Sequence, residues 1–511
     1  MTPDDQADAI RFLADPATHA GTGPVEVIET HISRIFLSGE RAYKMKRAIR
    51  LPYADFSTPE RRLETCRKEV ELNSATAPEI YLGVRRITRE PDGSLALDGK
   101  GRLVDAVVEM RRFDQSALFD RMALAGRLTP ALMTATARTI ADFHRAAPVV
   151  HAGGGAANMA GVLDINRAGF ATSHVFDPSR VATFDAGFRQ TLDRHAGLLD
   201  RREAAGWLRR CHGDLHLRNI CLLDGAPRLF DCIEFNDRIA SVDVLYDLAF
   251  LLMDLWHRGF PQLANLTMNR YLDQAGDQEE GFVLLPFFMA VRAAVRAHVT
   301  ATQAERTAEG RDALAAEARA YFALAEELLR PRPARMVAIG GLSGSGKTTI
   351  AEALAPLVGA PPGARIVESD RIRKAMHGVT PETRLPESAY RPEISRRVYD
   401  EMTRRAGAIL SAGGPVLVDA VFDRPEARAR IEREAAAHRV ALLGVWLRAD
   451  PALLRRRVGG RRGGPSDATV EVLARQLERH ADAAEWHGID AAHEPQAIIS
   501  DILCLMPGPA G

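Results

Sequence analysis

The sequence predicts an α+β bilobal domain followed by an α/β domain built on a parallel sheet. Three observations carry that prediction. Short strand-like runs dominate to about residue 112 and amphipathic helices dominate after it, which is a two-lobe pattern. The helical, Ala-rich stretch AEARAYFALAEELLR ends at PRPAR, a break at about residues 331–335 that the apolar run MVAIG follows. Beyond it, strand-like runs (MVAIGG, PVLVDAVF, ALLGVWLRA) alternate with helical periodicity such as ISRRVYDEMTRRAGAIL, the pattern of parallel strands joined by crossover helices. At 511 residues the chain is too long for one ordinary core. It divides into residues 1–330, with a first lobe to about 110 and a second over 111–330, and residues 334–511.

Composition narrows the function classes. Hydrophobic content of 46% beside charged content of 26% marks a globular chain rather than a disordered one. The most apolar stretch, FVLLPFFMAV at 282–291, falls short of the roughly 18 residues a bilayer-crossing helix needs. The acidic, amphipathic start MTPDDQADAIRFLADP lacks a basic and apolar leader pattern, so a cytoplasmic location without a membrane partner is expected. Cys66, Cys211, Cys221, Cys232 and Cys504 occur without a CxxC pair, which points to reduced thiols rather than a disulfide framework or structural zinc. The formal net charge of zero gives no electrostatic footprint for nucleic acid and favours a small or uncharged partner. Only six of the 67 basic residues are lysines: Lys44, Lys46, Lys68, Lys100, Lys347 and Lys374. In so Arg-rich a chain a retained Lys marks a place that calls for a compact ammonium, and three of the six fall in candidate phosphate sites.

Residues 341–348 read GLSGSGKT, a complete GxxxxGK[ST] between the strand MVAIG and the helical run TIAEALAPLV. In that setting the backbone of Gly341, Leu342, Ser343, Gly344, Ser345 and Gly346 curls about a β-phosphate. Lys347 supplies a point charge at the β/γ oxygens, the Thr348 hydroxyl ligates Mg²⁺, and Thr349 is expected among the ATP contacts. Downstream, RIVESDRIRK sets Asp370 and Arg373 just after a second strand, where Asp370 serves either as general base for an acceptor hydroxyl or as a helix N-cap. PVLVDA ends an apolar strand in Asp419, a second expected Mg²⁺ ligand. LLRRRVGGRRGG carries Arg455, Arg456, Arg457, Arg461 and Arg462 around a Gly-rich bend. An Arg-bearing lid presenting Arg455 and Arg461 to phosphate competes there with a solvated basic helix end. Through GLSGSGKT, SDRIRK, VLVDAVFDR and the Arg-rich bend, residues 334 to about 505 resemble the P-loop kinases that include polynucleotide-kinase-like, chloramphenicol-phosphotransferase-like and zeta-toxin-like enzymes. The resemblance implies an AAA-type P-loop NTPase domain that uses ATP.

Residues 212–219 read HGDLHLRN, with Asp214 and Asn219 spaced as in the HxDxxxxN loop of kinase-like phosphotransferases. Asp214 then takes the acceptor proton and Asn219 turns back to a metal ion. Asp231 follows the hairpin pattern ICLLDGAPRLF and completes the metal site. His212 and His216 serve better as scaffold than as metal ligands, and Asp247 caps a helix while bracing the loop. RAYKMKRAI alternates like a strand and puts Lys44 and Lys46 on one face, with Lys44 the preferred contact to the α/β-phosphates. Glu69 on RRLETCRKEVELN is the ion-pair candidate for that lysine, with Glu64 and Glu71 as alternatives. VDAVVEMRRF at 104–113 leads into an interlobe hinge whose backbone at Glu109 to Arg111 faces an adenine edge.

AYKMK, HGDLHLRN, LFDCIEF and DLAFLL occur in the order found in the aminoglycoside-phosphotransferase-like family, which residues 25 to 325 therefore resemble. That implies a protein-kinase-like bilobal fold. The GxGxxG loop of protein kinases is missing, and THISRIF at 30–36 stands in its place. The whole chain resembles bacterial proteins that fuse these two modules. The resemblance implies a bifunctional ATP-dependent phosphotransferase acting with Mg²⁺ on small-molecule hydroxyls. Two other readings stay open: a P-loop ATPase switch that regulates a single N-terminal kinase, and a P-loop module acting on nucleic-acid 5′-hydroxyls.

Overall fold

A computed structural model of the chain describes residues 6–19, 23–30, 32–51, 54–276, 278–307, 309–460, 464–479 and 485–506. The chain packs as two compact units, residues 1–164 with 196–254, and residues 165–195 with 255–511.

In the first unit a six-stranded antiparallel sheet runs in the order 26–29, 33–38, 41–46, 102–111, 81–89, 95–97. Alternation along each strand divides its side chains between two cores. Leu37, Ala42, Tyr81, Val108 and Met110 pack with Cys66 of the helix Pro59–Asn73 on one face. Phe36, Tyr43, Met45 and Val107 pack with Ala9 and Leu13 of the helix Ala7–Ala14 on the other. Pro59 opens its helix at a position where its missing N–H costs nothing, and the Thr58 hydroxyl accepts the Arg61 N–H at 3.4 Å. Helices dominate after residue 118. They are interrupted by the antiparallel pair 208–210 with 241–243 and by the hairpin Ile220–Leu223 with Ala226–Leu229. Asp224 and Gly225 turn that hairpin with φ of +51° and +77°, the left-handed pair that a two-residue turn matched to strand twist requires.

In the second unit a five-stranded parallel sheet has the order 365–368, 416–419, 336–341, 442–448, 487–490. Val337, Ile339, Leu417, Val445 and Leu447 face Ile350, Leu354, Ile498 and Ile502 of the covering helices. Gly340 and Gly444 admit aromatic rings: a Cβ on Gly340 would stand 2.7 Å from the Trp446 ring, and one on Gly444 2.7 Å from that of Trp486. The bilobal α+β and parallel α/β architectures are thus both present. One expectation changes. The apolar run at 282–291 belongs to a continuous stretch, Gly281–Arg306, that is long and apolar enough by composition to cross a membrane. Its most apolar window is 67% buried within the protein, where Leu285–Arg306 packs along Arg311–Leu328. The sequence understated its length because Arg292 and Arg296 break the apolar run without breaking the helix.

On that helix His298 lies with its Nε2 3.3 Å from Asn166 Oδ1 and its ring edge-on to Phe170. Burial pushes its pKa from 6.5 down to about 4. A group more easily protonated when unfolded contributes stability above 6.5 and loses it as the pH falls from 6.5 to 4. Thermal melts over that range are expected to show a fall of no more than about 3 kcal/mol, and His298→Phe should flatten the slope.

Candidate active sites

Lys44 and Lys46 share the sheet face that meets the helix Pro59–Asn73. On that helix Arg62, Cys66, Glu69 and Asn73 form the buried stripe, while Glu64 and Glu71 are exposed. Glu69 therefore meets both lysines: Lys44 Nζ donates to its Oε1 at 2.7 Å and Lys46 Nζ lies 2.6 Å from its Oε2. The two then diverge. Lys46 is wholly buried and takes Glu234 at 2.5 Å as its second partner, whereas Lys44 turns to Asp231, whose side chain is 41% exposed.

Asp231 is held in place from several sides. Its φ is +61°, in the left-handed region that few residues other than Gly, Asn and Asp enter. Its N–H donates to the Tyr81 hydroxyl at 3.0 Å, and the next N–H, of Cys232, donates to Asn73 Oδ1 at 3.0 Å. The HGDLHLRN loop is braced from below. Asp247 accepts the N–H groups of His212 at 3.2 Å and Gly213 at 2.7 Å, and its Oδ2 lies 3.1 Å from His144 Nε2. Asp254 accepts the Leu217 N–H at 3.0 Å. His212 Nε2 lies 3.0 Å from the Phe230 carbonyl, which ties the loop to the strand that delivers Asp231. Asn219 Nδ2 donates to Asp214 Oδ2 at 2.9 Å and to its backbone carbonyl at 2.9 Å, fixing the carboxylate. His144, Cys211 and Asp247 come within metal-ligand reach of one another, but the Asp247 oxygens already serve the loop and Cys211 donates to the Val242 carbonyl. That cluster is a brace.

The second site opens at the carboxyl ends of the parallel strands, where ligands of such sheets collect. The strand Met336–Gly341 feeds residues 342–346 and then the helix Lys347–Leu354. Gly344 has φ +88° and backs onto the Leu454 carbonyl, which a Cβ there would approach to 2.8 Å. Lys347 Nζ donates to the Leu342 carbonyl at 3.2 Å, and Ser345 Oγ is buried with no hydrogen-bond partner. The Thr348 hydroxyl donates to Asp419 Oδ2 at 2.8 Å and stands 3.5 Å from Glu368 Oε1. Glu368 and Asp419 face each other across neighbouring parallel strands. Asp370 lies recessed, hydrogen-bonded to Ser466, in a cavity of about 1410 Å³ that reaches from Lys347 and Thr348 to Arg396 and Arg424. Arg455 and Arg456 are exposed on the helix Pro451–Gly459, outside the cavity lining, and Arg457 donates to the Ala491 carbonyl at 3.0 Å. Arg461 and Arg462 lie outside the described residues.

Residues 58–282 match the phosphotransferase enzyme family and residues 336–483 match an AAA domain family. An uncharacterized protein of Mycobacterium tuberculosis is 31% identical over 477 residues, covering 92% of this chain and 92% of that protein. One of Mycobacterium bovis matches to the same extent. The chain belongs to their family, and itself joins a phosphotransferase domain to a P-loop domain. It is a kinase. Among solved structures, a choline/ethanolamine kinase family protein from Mesorhizobium loti is 16% identical with a TM-score of 0.39, over 64% of this chain and 94% of that one. A gluconokinase from Sinorhizobium meliloti is 23% identical with a TM-score of 0.25, over 34% of this chain and 92% of that one.

Two carboxylates of this kinase escaped the sequence reading. Glu234 stands three residues after Asp231 and locks Lys46; Glu368 stands two before Asp370 and shares the Thr348 corner with Asp419. The electrostatics follow from enclosure. Burial opposes the Lys44 charge, but Asp231 and Glu69 overcome it and hold the ammonium well above its ordinary range. Burial likewise opposes ionisation of Glu69, yet Lys44 and Lys46 bring its carboxyl down to about 2. Glu234 goes up, burial outweighing Lys46. At the second site burial, helped by Asp419, raises Glu368 to about 8, and burial raises Asp419 to about 6 against the pull of Lys347. Two carboxylates that close, beside a Thr hydroxyl, form an oxygen set suited to a hard divalent cation. The orphaned Ser345 hydroxyl and the left-handed loop glycines fit a phosphate in the same place.

Asp247→Asn replaces one acceptor of the buried loop amides with a donor. It is expected to cost about 1–3 kcal/mol, read by denaturant unfolding, and to slow Asp214-dependent turnover more than Lys347-dependent turnover.

Proposed function

We propose that the chain is a two-site, ATP-dependent kinase of the cytoplasm that phosphorylates hydroxyl groups of small molecules, with residues 1–330 forming one module and 334–511 the other. The observation that carries this reading is that each site keeps one acid apart from its metal-ligand set: Asp214 beside Asn219 and Asp231, and Asp370 beside Thr348 and Asp419. Asp214 and Asp370 would each accept the acceptor hydroxyl's hydrogen bond and then its proton, late in a loose transition state. Lys44, held by Glu69, would grip the α/β-phosphates at the first site. The P-loop amides from Gly341 to Gly346, with Lys347 and Thr349, would do so at the second. Mg²⁺, held by Asn219 and Asp231 at one site and by Thr348 and Asp419 at the other, would neutralise the charge on the transferring phosphoryl group. Burial lifts the Asp370 pKa above the ordinary value, which makes it a stronger proton acceptor. Reduced, mostly buried cysteines fit the cytoplasm.

The acceptor end of the second cavity supports a more definite substrate class. Arg384, Arg391, Arg396 and Arg424 line it without an ion pair among the described residues, and Arg373 is buried there with Nε unpaired; of the acids beside them, Glu387 is paired with Arg475 and Asp467 with Lys374, which leaves Asp370, Asp423 and Glu426. A net charge of zero for the whole chain says nothing of this local excess. An acceptor carrying a carboxylate or phosphate fits it better than a neutral one.

Incubating a metabolite pool with ATP and the wild-type, Asp214→Ala or Lys347→Ala protein, and reading phosphate mass gains, tests the two-site reading. Products lost separately in the two variants are expected. If every product survives Lys347→Ala, the second site is not a kinase of small molecules. Lys347-dependent products should be anionic before phosphorylation, and Arg396→Gln with Arg424→Gln should raise the acceptor KM about 5- to 50-fold with the ATP KM unchanged. A neutral acceptor preferred over its charged counterpart would reject that substrate class.

A further inference from the structure

The helix Pro261–Ala275 and Glu279 lie inside the stretch that matches the phosphotransferase family, yet they pack in the same compact unit as the P-loop. The contact is polar and buried. Asn265 Nδ2 donates to the carbonyls of Pro362 at 2.9 Å and Ala364 at 3.1 Å. Asn269 Oδ1 accepts the Ile366 N–H at 2.7 Å. Arg365, 1% exposed, puts two guanidinium nitrogens on Glu279 at 3.0 and 3.1 Å and a third on Asp273 at 2.8 Å. These bonds fix the strand Arg365–Glu368 from its first residue.

From the same helix a chain of charge runs to the P-loop corner. Asp273 Oδ2 stands 3.5 Å from Arg270 and 3.7 Å from Arg371. Arg371 Nε donates to Glu368 Oε2 at 2.8 Å, which leaves Oε1 turned to the Thr348 hydroxyl. Arg270 pairs with Glu352, on the helix that begins at Lys347. Glu368, which shares the corner of Thr348 and Asp419, and the helix that carries Thr348 are therefore both oriented by side chains that lie about 80 to 100 residues upstream in sequence.

We propose that Arg270 and Asp273 are positioning residues for the P-loop site, so that this site is complete only with a helix contributed by the phosphotransferase segment. They touch neither nucleotide nor acceptor and act through Glu352, Arg371 and Glu368. Residues that orient metal ligands in this way commonly change metal affinity about 10- to 100-fold when altered.

The inference rests on Thr348 and Asp419 as the metal corner, and its test reads binding rather than turnover. A fluorescent ATP analogue is titrated with Mg²⁺ on the full chain, and the signal lost in Lys347→Ala is assigned to the P-loop. Arg270→Gln and Asp273→Asn are expected to raise the Mg²⁺ concentration for half-maximal Lys347-dependent binding about 10-fold or more. Asp214-dependent turnover should stay unchanged and Arg270→Lys should restore most of the loss. Glu352→Gln, which cuts the same link from the other end, should reproduce the Arg270→Gln shift and keeps the test open if Asp273→Asn fails to fold. An unchanged Mg²⁺ requirement in well-folded variants overturns the proposal, and so does a loss that follows the melting temperature and affects both sites equally. Lys347-dependent binding that ignores Mg²⁺ even in the wild type overturns the metal corner itself.

Discussion

A charged side chain enclosed by protein must bring its counter-charge with it, and that constraint fixes where the helices of both units dock. Lys46 and Glu69 are wholly enclosed and Arg365 nearly so. Left alone, each would cost several kcal/mol. Glu69 consequently sets the helix Pro59–Asn73 against the strand Arg41–Lys46, and Glu279 with Asp273 sets the strand Arg365–Glu368 against the helix Pro261–Ala275. Apolar packing supplies most of the driving force in both places but tolerates sliding. The ion pairs choose one register, because breaking one of them by removing a single partner costs about 3–5 kcal/mol.

The same constraint shapes the two proposed phosphate sites differently. In the first unit a side chain supplies the charge, and the two lysines are not equivalent: Lys46 is locked between two glutamates, while Lys44 shares one glutamate and faces a partly open aspartate. That difference is why Lys44 and not Lys46 is the lysine proposed to grip phosphate. In the second unit left-handed glycines turn the backbone so that amides and a helix N-terminus face the same point, and only one lysine is added. The first design depends on distant residues meeting; the loop and lysine of the second are contained in eight consecutive residues, though its acids come from further away.

That difference explains what the sequence reveals. GLSGSGKT and HGDLHLRN are legible because their own turns assemble the chemistry, and the alternation at 44 and 46 is legible because a strand has period two. Glu69 could be narrowed only to a helix with three candidate acids until burial at 62, 66, 69 and 73 separated them. Glu368 and Glu234 were invisible for another reason. A carboxylate gains its role from what it faces, and Thr348 lies 20 residues from Glu368 while Lys46 lies 188 from Glu234. The Arg-rich bend is the converse case: clustering in sequence drew attention to Arg455, which faces solvent, while the cavity takes its arginines from scattered positions between 371 and 475.

Family boundaries and packing boundaries also diverge, and burial says why. The phosphotransferase match ends at residue 282, but the chain changes packing unit at 254. A chain cut before residue 334 would leave Arg365 without Glu279 and Asp273, and would strip the Ile366 N–H and the Ala364 carbonyl of their Asn partners. Buried donors and charges without partners are the costliest kind of loss, far beyond that of the same groups in water. The arginine buried on this strand is tenable only while Glu279 and the helix that carries Asp273 stay packed against it.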